Sequence, residues 1–216
     1  MSHPTGGFTT IVDPEVRAYI QGLRAADDAL IERLETYAAE RKFPIVGRES
    51  GYFLEMLAAS VNARTVFEFG SGFGYSALFF ARGVGRGGVV IGTENNTVHI
   101  DAHQRLFEGH ALQARIQLHY GDAFDIFSRT EGHFDVVFLD LHKSGYRDAY
   151  ERALPRVRSG GLIIADNVIW GGKVMRPAVD PDTEALQQFN AAVFADPRVQ
   201  PSIAPIGDGL LIARKR

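Results

Sequence analysis

Residues Phe67-Glu-Phe-Gly-Ser-Gly-Phe-Gly-Tyr-Ser76 decide the reading of this chain. A short apolar run, Thr65–Phe69, meets three glycines at alternate positions, Gly70, Gly72 and Gly74. Glycine lets a chain turn sharply and lets its backbone approach a ligand closely. The pattern turns helical from Ser76 to Arg82, so the stretch reads as strand, turn and helix. In an open sheet of parallel strands, such a turn lies at the carboxyl end of its strand, where ligands bind.

Working outward, the alternation continues. Gly88–Gly92, Ile116–Tyr120, Phe134–Leu139 and Gly161–Ala165 read as further strands. Val98–Leu112 has helical spacing, Tyr146, Tyr150, Ala153 and Leu154 line another helix, and Asp180-Pro181 opens a third through Leu186, Phe189 and Val193. Short apolar strands between helices predict an α/β fold with a parallel sheet covered on both faces. The end changes character: Ser202–Pro205 and Leu210–Ala213 flank Gly207-Asp208-Gly209, the signal of a closing antiparallel hairpin. Upstream, Asp13-Pro14 starts a helix with Val16, Tyr19, Ile20 and Leu23 on one face. Leu30, Ile31, Leu34, Tyr37 and Ala38 continue at helical spacing, and a third helix covers Glu49 to Val61. No repeat or linker interrupts the chain. We expect one domain over residues 1–216, with 1–12 as a flexible lead-in.

A chain of 216 residues can bury a substantial core. A net charge of -3 gives no electrostatic reason to expect nucleic acid as a partner. The chain has no cysteine, which excludes disulfides, thiolate nucleophiles and cysteine-based zinc sites, and fits a cytoplasmic protein. No apolar run approaches the ~20 residues that span a bilayer, so no membrane association is expected. Met1-Ser-His-Pro-Thr-Gly-Gly7 lacks the basic and apolar regions of a signal peptide.

The glycine spacing is G-x-G-x-G rather than the G-x-G-x-x-G of dinucleotide sites. Glu68, two residues ahead of Gly70, would repel a pyrophosphate but suits a cationic ligand without phosphate. S-adenosylmethionine is such a ligand. Glu94 ends the next strand, where a carboxylate accepts hydrogen bonds from both ribose hydroxyls. The plainer alternative makes both acids solvated strand ends.

Further on, Asp140 follows Val136–Leu139, and Asp166 and Asn167 follow Leu162–Ala165. Strands joined by one helix are commonly neighbours, so these tips converge. Two carboxylates and an amide oxygen are hard ligands, suited to Mg²⁺ first and to Mn²⁺ or Ca²⁺ next, rather than to zinc. Lys143 lies about one turn beyond Asp140, and a metal beside it would lower its pKa towards that of a general base. The alternative is that Asp140 caps a helix and Asp166-Asn167 forms a turn. Trp170, the only tryptophan, is either an apolar wall for an aromatic substrate or core packing. His142 either faces the site or is a bystander. His99 and His103, four apart, lack the further ligands of a zinc site and read as surface residues.

With these residues in hand, the chain resembles the cation-dependent class I O-methyltransferases, the group of catechol and caffeoyl-CoA O-methyltransferases. The resemblance runs from about Val12 to the end. It is carried by Phe67–Ser76, Gly121-Asp-Ala123, Phe134–Asp140 with Lys143 and Tyr146, Gly160–Asn167 with Trp170-Gly-Gly172, and Pro205–Ala213. It implies a Rossmann-like, mostly parallel seven-stranded sheet with an antiparallel last strand and extra N-terminal helices.

The resemblance also assigns roles. Glu68, Gly70, Gly72 and Ser76 would surround the methionine end of S-adenosylmethionine, Glu94 the ribose and Ala123 the adenine, with Asp140 bordering the cofactor as well. Asp140, Asp166 and Asn167 would bind the metal, and Lys143 would be the catalytic base. The implied reaction is methyl transfer to a vicinal-dihydroxy aromatic. Asp140-Leu-His-Lys143 departs from the Asp-Ala-Asp-Lys of the plant and bacterial branch and has the histidine-containing form of the catechol branch. The short stretch after Gly172 has only Lys173 and Arg176 as basic residues, which favours a small diol over a CoA ester. The acceptor would lie between the N-terminal helices and the segment after Trp170. Bacterial relatives make a homodimer the expected assembly. An NAD-dependent oxidoreductase and a non-catalytic cofactor-binding protein are the competing readings.

Overall fold

The computed structural model describes residues 12–23 and 28–216. Seven strands form its sheet: Thr65–Phe69 (β1), Val89–Glu94 (β2), Ile116–Tyr120 (β3), Phe134–Leu139 (β4), Val157–Ala165 (β5), Val199–Ala204 (β6) and Leu210–Lys215 (β7). Their order is β3-β2-β1-β4-β5-β7-β6. β7 runs antiparallel to both β5 and β6, and the other pairings are parallel. Chain order runs outward one way from β1 through β2 to β3 and the other way from β4 to β5. The crevice between β1 and β4 is therefore a switch point, where open α/β sheets bind ligands.

Alternation along the strands builds two cores. Val66, Val136, Phe138 and Ile164 face one side, packing against the helices Ala29–Arg41 (α2), Gly47–Ser60 (α3), Tyr75–Gly83 (α4) and Thr97–Phe107 (α5). Phe67, Phe69, Val137, Leu139 and Ile163 face the other, against Ala123–Arg129 (α6), Tyr146–Ala153 (α7) and Pro181–Ala195 (α8). Buried on both faces, the strands read as continuous apolar runs rather than alternating ones.

Several expectations needed correction. The α5 pattern predicted to reach Leu112 stops at Phe107, because the chain turns at Gly109 with φ +72°. Helix α6 went unread: seven residues give too few turns for a period to emerge, and its start is set by Asp122, which accepts the Phe124 and Asp125 N–H groups. β5 begins at Val157 rather than Gly161, and β6 at Val199 rather than Ser202. Asp13 caps Pro14–Gly22 (α1) as expected, but the apolar face of that helix is exposed, Tyr19 at 68% and Leu23 at 67%. The expected lead-in lies, but for Val12, outside the described residues. Among the described residues no helix is long and apolar enough to cross a membrane.

Candidate functional site

The tips of β1, β4 and β5 are joined by backbone. The Asp140 N–H donates to the Phe69 carbonyl at 3.0 Å, and the Asp166 N–H to the Leu139 carbonyl at 3.1 Å. Gly70 adopts φ +86°, and a Cβ there would stand 2.2 Å from the Asp140 carbonyl oxygen. Only glycine fits that approach, so the glycine turn and the Asp140 loop lie against each other.

Glu68 is fully buried beneath the turn, not a solvated strand end. Ser71 Oγ donates to its Oε2 at 2.7 Å, Ser76 stands near enough to favour the charged carboxyl, and Oε1 has no hydrogen-bond partner. Burial pushes the Glu68 carboxyl up to about 7 against the pull of the two serines, and the charge of Asp140 adds to the rise. Thr93 Oγ1 donates to the Glu68 carbonyl and accepts from the Gly70 N–H, pinning the turn to β2. Neither this hydroxyl nor its role was legible in the sequence.

A cavity of about 410 Å³ opens beside the turn, and Gly70, Glu94 and Ala123 line it together with Thr93, Leu141 and His142. Three positions predicted from distant parts of the chain thus share one space. Gly72 and Ser76 are not in that lining: Gly72 faces Phe43, and Ser76 is buried on α4. A second cavity of about 700 Å³ lies along α1 and α3 and reaches Ile206 and Gly207. Its lining includes residues of α1 and α3 but not Trp170 or its immediate successors.

The Lys143 side chain is buried among the ends of β4 and β5. Its Nζ donates to Tyr146 Oη at 2.7 Å and to Asn167 Oδ1 at 2.7 Å, and lies 3.8 Å from Asp140 Oδ1. Tyr146 Oη in turn donates to the Asp166 carbonyl at 2.9 Å. The Trp170 ring stands over the same ammonium, its centroid 5.4 Å from Nζ, and also packs against the core on the α7 and α8 side. Burial lowers the Lys143 pKa, opposed by the charges of Asp140, Asp166 and Asp208. Burial raises Asp140, against the pull of Lys143. Asp166 is pushed up to about 8 by burial and by the neighbouring Asp140 charge. Among the described residues no group of three or more His, Cys, Asp or Glu side chains forms a metal cage. The donor set here is two carboxylates and an amide oxygen.

Asp208 escaped the sequence reading, which saw only a hairpin turn around it. Its Oδ1 accepts the Gly171 N–H at 2.6 Å, and its backbone carbonyl accepts the Ile169 N–H, so it holds the turn that carries Trp170. The two histidines expected at the surface are also placed otherwise: His103 is buried, and only 18% of the His99 side chain is exposed. His142 is exposed, bonding Ser144 and standing 3.7 Å from Asp182.

Comparison with known proteins agrees with this geometry. The sequence model of the O-methyltransferase family matches residues 22–216. The chain belongs to the O-methyltransferase family. It is 31% identical over 192 residues to a catechol O-methyltransferase of Niastella koreensis, covering 86% of this chain and 87% of that protein. A caffeoyl-CoA O-methyltransferase of Populus trichocarpa is 28% identical over 77% of this chain and 73% of its own length. The solved structure of an O-methyltransferase from Bacillus cereus, in complex with S-adenosylhomocysteine, superposes with a TM-score of 0.82 at 28% identity. That match covers 94% of this chain and 97% of the other. This member of the family is an S-adenosylmethionine-dependent O-methyltransferase, and the oxidoreductase and non-catalytic readings fall away.

Proposed function

We propose that this O-methyltransferase is metal-dependent and methylates one hydroxyl of a vicinal-dihydroxy aromatic. The observation that carries the proposal is Lys143, buried between Asp140, Asp166 and Asn167 and beside the cavity lined by Gly70 and Glu94. The residues fit both the cofactor and the metal. Glu68 Oε1 is a buried oxygen without a partner at the glycine turn, which suits the cationic methionine end of the cofactor. Asp140 and Asp166 are close enough for their charges to repel, and with the Asn167 oxygen they are the hard donors that Mg²⁺, Mn²⁺ or Ca²⁺ prefer.

Bound there, a divalent cation supplies Lewis acidity that favours an ionised acceptor oxygen. The remaining chemistry belongs to the chain. Tyr146 and Asn167 each accept from Lys143 Nζ and so orient it. Burial favours the neutral amine, which takes the acceptor's hydroxyl proton at Nζ. The acceptor oxygen then attacks the methyl carbon of S-adenosylmethionine, and S-adenosylhomocysteine leaves. Glu94 is proposed to hold the ribose, Ala123 to border the adenine, and Gly70 and Ser76 to shape the methionine end. Trp170, over Lys143, supplies an apolar wall for the aromatic ring.

A catechol O-methyltransferase among the relatives and the few basic residues after Gly172 support a small diol over a CoA ester. A homodimer is proposed as the assembly, supported by the exposed apolar face of α1. The deciding experiment is methyl transfer from labelled S-adenosylmethionine to catechols and mono-phenols, with Mg²⁺ and with EDTA. Transfer is expected to catechols only and to stop with EDTA. Undiminished transfer in EDTA would remove the metal from the proposal.

A further inference from the structure

Helix α5 carries His99 and His103 four residues apart, and positions i and i+4 share a helix face. His103 is buried against the glycine turn, with Nδ1 3.2 Å from the Phe73 carbonyl oxygen. A carbonyl only accepts, so that nitrogen carries the hydrogen. The fit is close: a Cβ on Gly74, at φ +95°, would stand 2.7 Å from the same nitrogen. One turn earlier, His99 Nδ1 lies 3.4 Å from Glu94 Oε2, with only 18% and 10% of the two side chains exposed. The nitrogen is buried and makes no aligned hydrogen bond, so this is a close approach of ring nitrogen and carboxylate. The other Glu94 oxygen accepts the Asn96 N–H at 2.7 Å. Phe43, between α2 and α3, packs edge-on against His99 at 4.6 Å and against Phe73 at 5.3 Å, so one ring ties the two contacts together.

We propose that His99 and His103 are positioning residues of the cofactor pocket. His99 holds the Glu94 carboxylate in place for the ribose, and His103 holds the glycine turn through the Phe73 carbonyl. The proposal rests on reading Glu94 as the ribose ligand. A carboxylate bonded at one oxygen by the Asn96 N–H and crowded at the other by the His99 ring has little freedom left to lose on binding. A ring nitrogen offering one hydrogen does this while leaving the carboxylate's outer lone pairs for the ribose hydroxyls.

The test is S-adenosylhomocysteine binding by calorimetry near neutral pH, with thermal melting of each variant alongside. His99→Phe keeps a ring and removes the nitrogen beside the carboxylate, and is expected to weaken binding roughly tenfold, the scale of one close polar contact to a charged group in a buried site. His99→Asn returns a donor near the Nδ1 position and is expected to bind within about threefold of the wild type. His103→Leu is expected to weaken binding and His103→Asn to restore it. Because Glu94 and His99 act as one unit, Glu94→Gln with His99→Phe should bind no more weakly than Glu94→Gln alone. Wild-type affinity in His99→Phe, additive losses in the double variant, or failure of both asparagine variants to rescue would overturn the proposal while leaving Glu94 as the ribose ligand. Wild-type affinity in Glu94→Gln would instead overturn the ribose assignment, and the role of His99 with it.

Discussion

Lys143 stands where Asp140, Asp166 and Asp208 bring their charges to bear, and its surroundings govern its protonation. Burial draws the amine towards neutrality and the acids draw it back, so loading the site with a cation should tip it to the neutral base. Lys143→Met keeps the length of the side chain and removes the base. We expect kcat to fall by about 10²–10⁴ with S-adenosylhomocysteine affinity nearly unchanged, read by steady-state kinetics and calorimetry. Glu68 offers a stability test. Its carboxyl moves from an ordinary 4.5 to about 7, so the folded state binds the extra proton. Stability of the ligand-free protein therefore falls as pH rises from about 4.5 to about 7, and the penalty is complete above that range. Glu68→Gln should stabilise the ligand-free protein by roughly 3 kcal/mol at pH 8 and by almost nothing at pH 4. Equal urea midpoints for the two proteins at pH 8 would refute this.

Among the elements, Asp135 shows how one side chain registers three strands. Its Oδ2 accepts the Arg64 and Thr65 N–H groups at 2.8 and 2.9 Å, and its Oδ1 pairs with Arg158 at the start of β5. Burial alone would raise this carboxyl, yet Arg158 and the two N–H groups hold it below the usual carboxylate range. A depressed folded pKa stabilises the fold above the ordinary value near 3.8 and loses that contribution as pH falls. Asp135→Asn should cost about 1–3 kcal/mol at neutral pH and progressively less below pH 4, measured by denaturant titration. This registration was not legible, because nothing in Phe134–Leu139 signals which backbone groups its second residue will meet. The strands themselves were legible: β1, β3 and β4 lie where the sequence pattern places them, and the central β1 and β4 are almost wholly buried, so their apolar runs stand out.

At the scale of the whole molecule, α1 is the outlier. Val16, Tyr19, Ile20 and Leu23 form an apolar face that no other described element covers well. A soluble chain rarely leaves such a face open to water. If a second copy covers it, the wild type should sediment as a dimer and the double variant Tyr19→Glu/Leu23→Glu as a monomer. A wild type that sediments as a monomer would remove α1 as a dimer surface.

Local signals carried what the sequence determined by itself. Period and apolarity marked the strands, three glycines marked the turn, and polar residues at the ends of apolar runs marked Glu94, Asp140, Asp166 and Asn167. These depend on residues close in the chain, so they survive without coordinates. Tertiary structure alone decided that the ends of β1, β4 and β5 meet, that Glu68 is buried with one oxygen unpartnered, and that Asp208 holds the Trp170 turn. It also placed His103 in the interior against the glycine turn and His99 beside Glu94. The reason is physical: desolvation and charge coupling are set by everything packed around a group, and those neighbours lie tens of residues away in sequence.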